Sequence, residues 1–170
     1  IGPARIDDSM FNLGRVHENG SFALQQLPIK NLTEAPGYTD NLDVDVVTWD
    51  PGLEVNGPMA IRGLAGDQVN NAHSVKIADQ YTGSRGVYTK YLTLEGTSKS
   101  TDGTLTTPLG QTAIAVEGVV YNGKSTWLGG SAAWTNESWN RWARTEGVPG
   151  RDGALSTHDS ATFAGNENQN

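Results

Sequence analysis

Three kinds of side chain in this sequence could do chemistry, and each sets a spacing test. The first is aromatic. Residues 125–147 read "STWLGGSAAWTNESWNRWARTEG" and hold Trp127, Trp134, Trp139 and Trp142, four of the five tryptophans in the chain. Exposed Trp and Tyr faces stack on sugar rings, so these residues with Tyr121 are candidates for a glycan platform. The same side chains could instead bury one face of a short helix, or anchor a subunit interface, where tryptophan is enriched. All five are kept as binding or interface candidates.

The second kind is acidic. "YTDNLDVDVVTWD" concentrates Asp40, Asp43, Asp45 and Asp50. A hard cation such as calcium needs several oxygen ligands converging within bonding reach. Asp43 and Asp45 share a strand face, which makes Asp40, Asp43 and Asp45 weak calcium candidates. The spacing is not that of an EF-hand loop, and an acidic solvent face is the simpler expectation. Glu95 and Glu117, each followed by glycine, raise a different possibility. Two carboxyl groups facing each other at roughly 5–9.5 Å could hydrolyse a glycosidic bond. They could equally be edge charges that guard against aggregation.

The third kind is nucleophilic. "THDS" sets His158, Asp159 and Ser160 side by side, but a catalytic triad is assembled in space, not from adjacent residues. No Gly-x-Ser-x-Gly elbow and no Gly-x-x-x-x-Gly-Lys phosphate loop occurs. His17 and His73 are too isolated for a His-x-His or His-x-x-x-His ligand pair. There is no cysteine, which removes disulfides, thiolate metal sites and cysteine nucleophiles. The reading is therefore non-enzymatic, with no cofactor.

The elements that must position these residues are β-strands. "NLDVDVVTWD" places Leu42, Val44 and Val46 on one face and Asp43 and Asp45 on the other. "GVYTKYLTLEG" puts Tyr88, Leu92 and Leu94 opposite Thr89, Tyr91 and Thr93. In "QTAIAVEGVVYNGKSTWLGG", Ile114, Val116 and Val120 share a face, Asn122-Gly123 turns, and Ser125 to Leu128 return. "GSFALQQL" and "AHSVKIADQ" are weaker strand candidates. Asn-Gly or Asp-Gly pairs at positions 19, 56, 102, 122 and 152 supply turns that need positive φ. The expectation is an all-β, mainly antiparallel sandwich or barrel of about seven or eight short strands. One short helix is expected at 136–146, capped by Thr135 and stopped by Gly147 and Pro149.

The ends lack this pattern. Residues 1–14 carry Gly2-Pro3 and scattered apolar residues. Residues 151–170 offer only Leu155 and Phe163 as large apolar anchors. The expected organisation is an N-terminal arm at 1–14, one β-rich domain at 15–150 and a C-terminal arm at 151–170. The chain starts with Ile1, which suggests a trimmed precursor or part of a longer one. Three Asn-x-Ser/Thr sequons, at Asn19, Asn31 and Asn136, suit chance in a chain this rich in Asn, Ser and Thr.

Net charge is −7, without any Lys/Arg run. Coating nucleic acid requires positive charge against phosphates, so that partner is disfavoured, as is an anionic membrane. No apolar run approaches the ~20 residues that span a bilayer. Small β core, arm-like ends and absence of a convincing reaction site together suggest a structural subunit of a repeating assembly. A bacteriophage head-decoration or tail protein, or an extracellular filament subunit, fits. Its partners would be copies of itself and other assembly proteins, and its location extracellular or in a virion. The alternative is a carbohydrate-binding module or lectin.

Overall fold

The computed structural model describes residues 2–33, 37–127 and 141–163. The fold is all-β and mainly antiparallel. Among the described residues ten strands are formed: β1 (Phe11–His17), β2 (Gln25–Lys30), β3 (Asn41–Trp49), β4 (Leu53–Asn56), β5 (Ala60–Leu64), β6 (Val69–Ile77), β7 (Gly86–Lys99), β8 (Thr106–Tyr121), β9 (Lys124–Trp127) and β10 (Ser160–Phe163). The strands not expected from the sequence are β1, which begins inside the expected N-terminal arm, and the short β4, β5 and β10.

The chain forms two compact units, and each is made of three separate stretches. The first unit comprises Ile1–Leu13, Ala23–Ile77 and Thr89–Glu117. It contains the antiparallel sheet β2-β6-β4. It also contains β3 between β5 and β7, antiparallel to both, within a five-stranded sheet ordered β1-β8-β7-β3-β5. Period-two alternation works here as expected. Leu42, Val44, Leu92, Leu94, Ile114 and Val116 point inward from one sheet, and Leu27, Ile29, Leu53, Val75 and Ile77 from the other, all buried.

The second unit comprises Gly14–Phe22, Ala78–Tyr88 and Gly118–Asn170. Its core includes Phe22, Val119, Val120, Tyr121, Trp142 and Val148. Here the expected β8–β9 hairpin is corrected. Gly123 turns with φ +67°, but its N–H bonds the Glu146 carbonyl, and β9 pairs in parallel with β10. The expected helix is also revised. Residues 136–140 lie outside the described residues. The described part is a set of turns, in which the Glu146 and Gly147 N–H groups both reach the Ala143 carbonyl. Gly147 does stop the segment, with φ +76°.

Among the described residues, neither the N-terminal segment nor residues 151–163 form a free arm. Ala4, Ile6 and Leu13 are buried. Gly2 bridges Thr39 and Ile6 bridges Asn31. The fully buried Asn31 explains the attachment. Its side-chain oxygen accepts from Arg5 N–H, and its amide donates to the Asp40 and Leu64 carbonyls at 3.0 and 2.9 Å. Each polar atom of the amide is satisfied, which is what burial of an amide requires. At the other end, β10 is a paired strand.

Candidate functional site

The aromatic candidates divide. Tyr121 ends β8 and is 1% exposed, and Trp142 is 3% exposed. Neither offers a face to a sugar. Trp127, on β9, is half-buried and meets Trp142 edge-on at 5.0 Å between ring centres. Phe163, its partner across the β9–β10 ladder, lies 6.0 Å from Trp127 and 6.1 Å from Trp142. Such tilted, edge-on rings are a favoured geometry for aromatic packing, here with Phe163 56% exposed at the edge of the group. Trp134 and Trp139 lie outside the described residues.

The acidic candidates are held by the protein's own groups. Asp43 has a buried side chain, so β3 does not present a purely solvent-facing acidic side. Its carboxylate accepts the Gly63 N–H at 2.8 Å and meets Lys99 Nζ at 2.6 Å, with Arg62 Nε at 3.9 Å. Burial would raise its pKa, but the Lys99 and Gly63 hydrogen bonds and the two nearby cations hold it below the ordinary carboxylate range. Asp45 pairs with Arg62, and Asp40 accepts from the Ser98 hydroxyl at 3.0 Å. Among the described residues no group of three His, Asp or Glu side chains could hold a metal ion.

Glu95 and Glu117 are not brought together. The β7–β8 hairpin closes where Ser100 N–H donates to the Leu105 carbonyl. Glu95 sits a short way before that point and Glu117 much further after it. At ~3.3 Å per residue the offset is roughly 20 Å, beyond the reach of a carboxylate pair. Glu95 instead lies across from Asp45 of β3.

The described residues do contain a polar cluster that the sequence did not reveal, in the second unit, buried at His17 and Tyr121 and open to solvent at Asp152. His17 closes β1 and is 6% exposed. Its Nε2 lies 2.7 Å from Asp159 Oδ1, and its Nδ1 lies 3.0 Å from the Glu18 carbonyl. Both partners are acceptors, so satisfying both requires a proton on each ring nitrogen, the imidazolium form. Burial opposes that charge most strongly. The Glu18 carbonyl, the Asp159 carboxylate and the charge of Asp152 together outweigh it, and the His17 pKa is raised. The second Asp159 oxygen accepts Gly150 N–H at 2.9 Å.

Tyr121 packs edge-on against His17 at 5.2 Å, and its hydroxyl donates to Asp152. Burial raises the Asp152 pKa; the Asp159 charge adds to this and His17 opposes it. Two glycines make the approach possible. A Cβ on Gly123 would fall 2.1 Å from the Asp159 carboxyl, and one on Gly147 would fall 2.2 Å from the Tyr121 ring.

This cluster is not a nucleophile-activating triad. A general base needs a free nitrogen beside the proton that it takes, and both His17 nitrogens are engaged. His158 and Ser160 play no part in it: the Ser160 N–H bonds the Gly123 carbonyl. Of the "THDS" run, only Asp159 reaches a histidine, and that histidine is 142 positions away.

The first unit also has a groove of about 980 Å³ lined by Pro3, Arg5, Leu32, Tyr38, Leu109 and Thr112, among others. No helix among the described residues is long and apolar enough to cross a membrane. Comparison with protein-family models gives no match, and comparison with curated proteins gives none either.

Proposed function

We propose that this chain is a non-enzymatic structural subunit of a repeating assembly, in a virion or an extracellular filament, with copies of itself and other assembly proteins as partners. The observation that supports this is the outer part of the β7–β8 hairpin. Residues 101–113 are exposed except for the half-buried Leu109 and Thr112. Leu105 is 71% exposed, and Asp102 is the single charged residue in the stretch. Proteins that stay monomeric guard such projecting β-structure with charge. A hairpin with a single charge and an exposed Leu105 beside its turn suits a surface that a neighbour covers. Leu109 and Thr112 also line the groove of the first unit, so groove and hairpin present one continuous surface.

The glycan-platform reading loses two of its aromatic residues to burial, Tyr121 and Trp142. The test is particle mass by light scattering over a concentration series, with negative-stain images, for the wild type and Leu105→Asp. Defined oligomers or filaments in the wild type, lost in the variant with an unchanged circular dichroism spectrum, are expected. A wild type that remains an 18.1 kDa monomer at every concentration would overturn the reading.

A further inference from the structure

The segment from Gly150 to Phe163 is held in an unusual way for a folded chain. None of its residues contributes a large buried apolar side chain: Leu155 is 41% and Phe163 56% exposed. Its one aromatic tie is the Phe163 ring against Trp127 and Trp142, and the rest of what holds it is polar. Asp159 binds His17, Asp152 accepts from Tyr121, Ser160 N–H reaches the Gly123 carbonyl, and β10 adds a four-residue parallel ladder to β9. With so little apolar burial, the balance between attached and released states depends on that network.

We propose that His17, Asp159, Tyr121 and Asp152 form a proton-operated clasp, which holds residues 150–163 while His17 is charged and releases them as His17 loses its proton.

The groups around His17 support this. β8 contributes Tyr121, whose hydroxyl is turned to Asp152. The clasped segment contributes Asp159 in direct contact and the charge of Asp152. The residue after β1, Glu18, gives its carbonyl to the ring, and its own carboxylate accepts Arg85 N–H at 2.8 Å. Arg85 in turn pairs with Glu146 at 3.8 Å. Arg15, also on β1, has its pKa lowered by burial and by the field of Arg144 and Arg151.

A neutral ring has one N–H for two acceptors. If Nδ1 keeps the proton, a lone pair faces the Asp159 carboxylate. If Nε2 keeps it, a lone pair faces the Glu18 carbonyl. Either tautomer breaks a hydrogen bond of the buried ring, to the buried Asp159 carboxylate or to the part-buried Glu18 carbonyl, which is costly.

The direction follows from linkage. His17 has a raised pKa in the folded state. Its contribution is therefore complete below the unfolded imidazole value of ~6.5 and is lost as pH rises through the folded value. Asp152 is also raised, so it adds stability of its own only below its folded value; once ionised, it supplies charge that helps to keep His17 protonated.

The experiment combines two readouts on the whole chain from pH 5.5 to 9.5. Ring-nitrogen NMR follows the protonation of His17. Hydrogen-exchange mass spectrometry, corrected for intrinsic exchange, follows residues 150–163, with β3 as the internal reference. We expect a doubly protonated His17 at pH 6 and a loss of protection in 150–163 as it titrates. Between the unfolded and folded pKa values that loss is about tenfold per pH unit. β3 stays unchanged, and His17→Gln shows low, pH-independent protection of the segment. A His17 that titrates at or below the ordinary imidazole value overturns the proposal, and so does protection of 150–163 that ignores pH. If His17→Gln does not fold, the wild-type titration and exchange profile decide the matter alone.

Discussion

Replacing Asp43 by Asn tests whether the acidic strand β3 is a cation site or an internally compensated one. The substitution keeps shape and leaves an oxygen for the Gly63 N–H. It removes the charge that meets Lys99 Nζ at 2.6 Å. A hydrogen bond to a charged group contributes about 1.5–3 kcal/mol, against about 1 for a neutral one. The Lys99 side chain is 43% exposed, so solvent screening brings the expected loss to about 1–2 kcal/mol. For a chain of this length that is a fall in Tm of roughly 2–8 °C. Asp45→Asn is the control. Asp45 and Arg62 are both about half exposed, and its Tm should stay within the scatter of repeat melts.

The assay is thermal unfolding by circular dichroism at pH 7 and again near pH 3. Asp43 has a lowered pKa, so its contribution is present above the unfolded value of ~3.9 and is lost as pH falls through the folded value. The gap between wild type and Asp43→Asn should narrow at pH 3. Millimolar calcium should leave both Tm values where they were. Equal effects of the two substitutions, or a calcium-dependent rise in Tm that Asp43→Asn abolishes, would refute the reasoning.

Other outcomes follow from the same geometry. Ile6→Ala should cost about 2–5 kcal/mol, because the N-terminal segment is core and not arm; denaturant unfolding checks this. Gly147→Ala should disrupt the second unit, since its Cβ would fall 2.2 Å from the Tyr121 ring at a positive φ; loss of the near-ultraviolet Trp signal reports it. On ageing, Asn56 should deamidate ahead of Asn19 and Asn122. The Gly20 and Gly123 N–H groups donate to the His17 and Glu146 carbonyls, whereas Asn56-Gly57 is exposed and no such bond holds Gly57 N–H among the described residues. Peptide mapping by mass spectrometry ranks the three.

Strands β3, β7 and β8 were legible because buried apolar residues recur at every second position in them: Leu42, Val44 and Val46; Leu92 and Leu94; Ile114 and Val116. The N-terminal segment was not. Its burial rests on Ala4 and Ile6, two side chains in an aperiodic stretch, and on the amide of Asn31, which no local pattern announces. The β9–β10 pairing was equally hidden: Asn122-Gly123 promised a local hairpin, and the actual partner lies beyond residue 159. His17 and Asp159 illustrate the limit. Each looks ordinary in its own neighbourhood, and only the fold turns them into a pair. The acids of β3 were seen as a group, but their neutralisers, Lys99 and Arg62, come from other strands.

Construction of each unit from three separated stretches has a consequence for how the chain acquires its structure. A growing chain has all parts of the first unit once Glu117 has been made, whereas the second still lacks everything from Gly118 onward. The first unit can therefore condense early, with 14–22 and 78–88 as waiting loops. The second must recruit those loops late, by contacts of very long sequence separation. Such topologies fold slowly, and the waiting chain exposes strand edges to its neighbours. Synthesis order thus sets a window between the two condensations in which chaperone binding, premature assembly or aggregation would compete with completion of the fold.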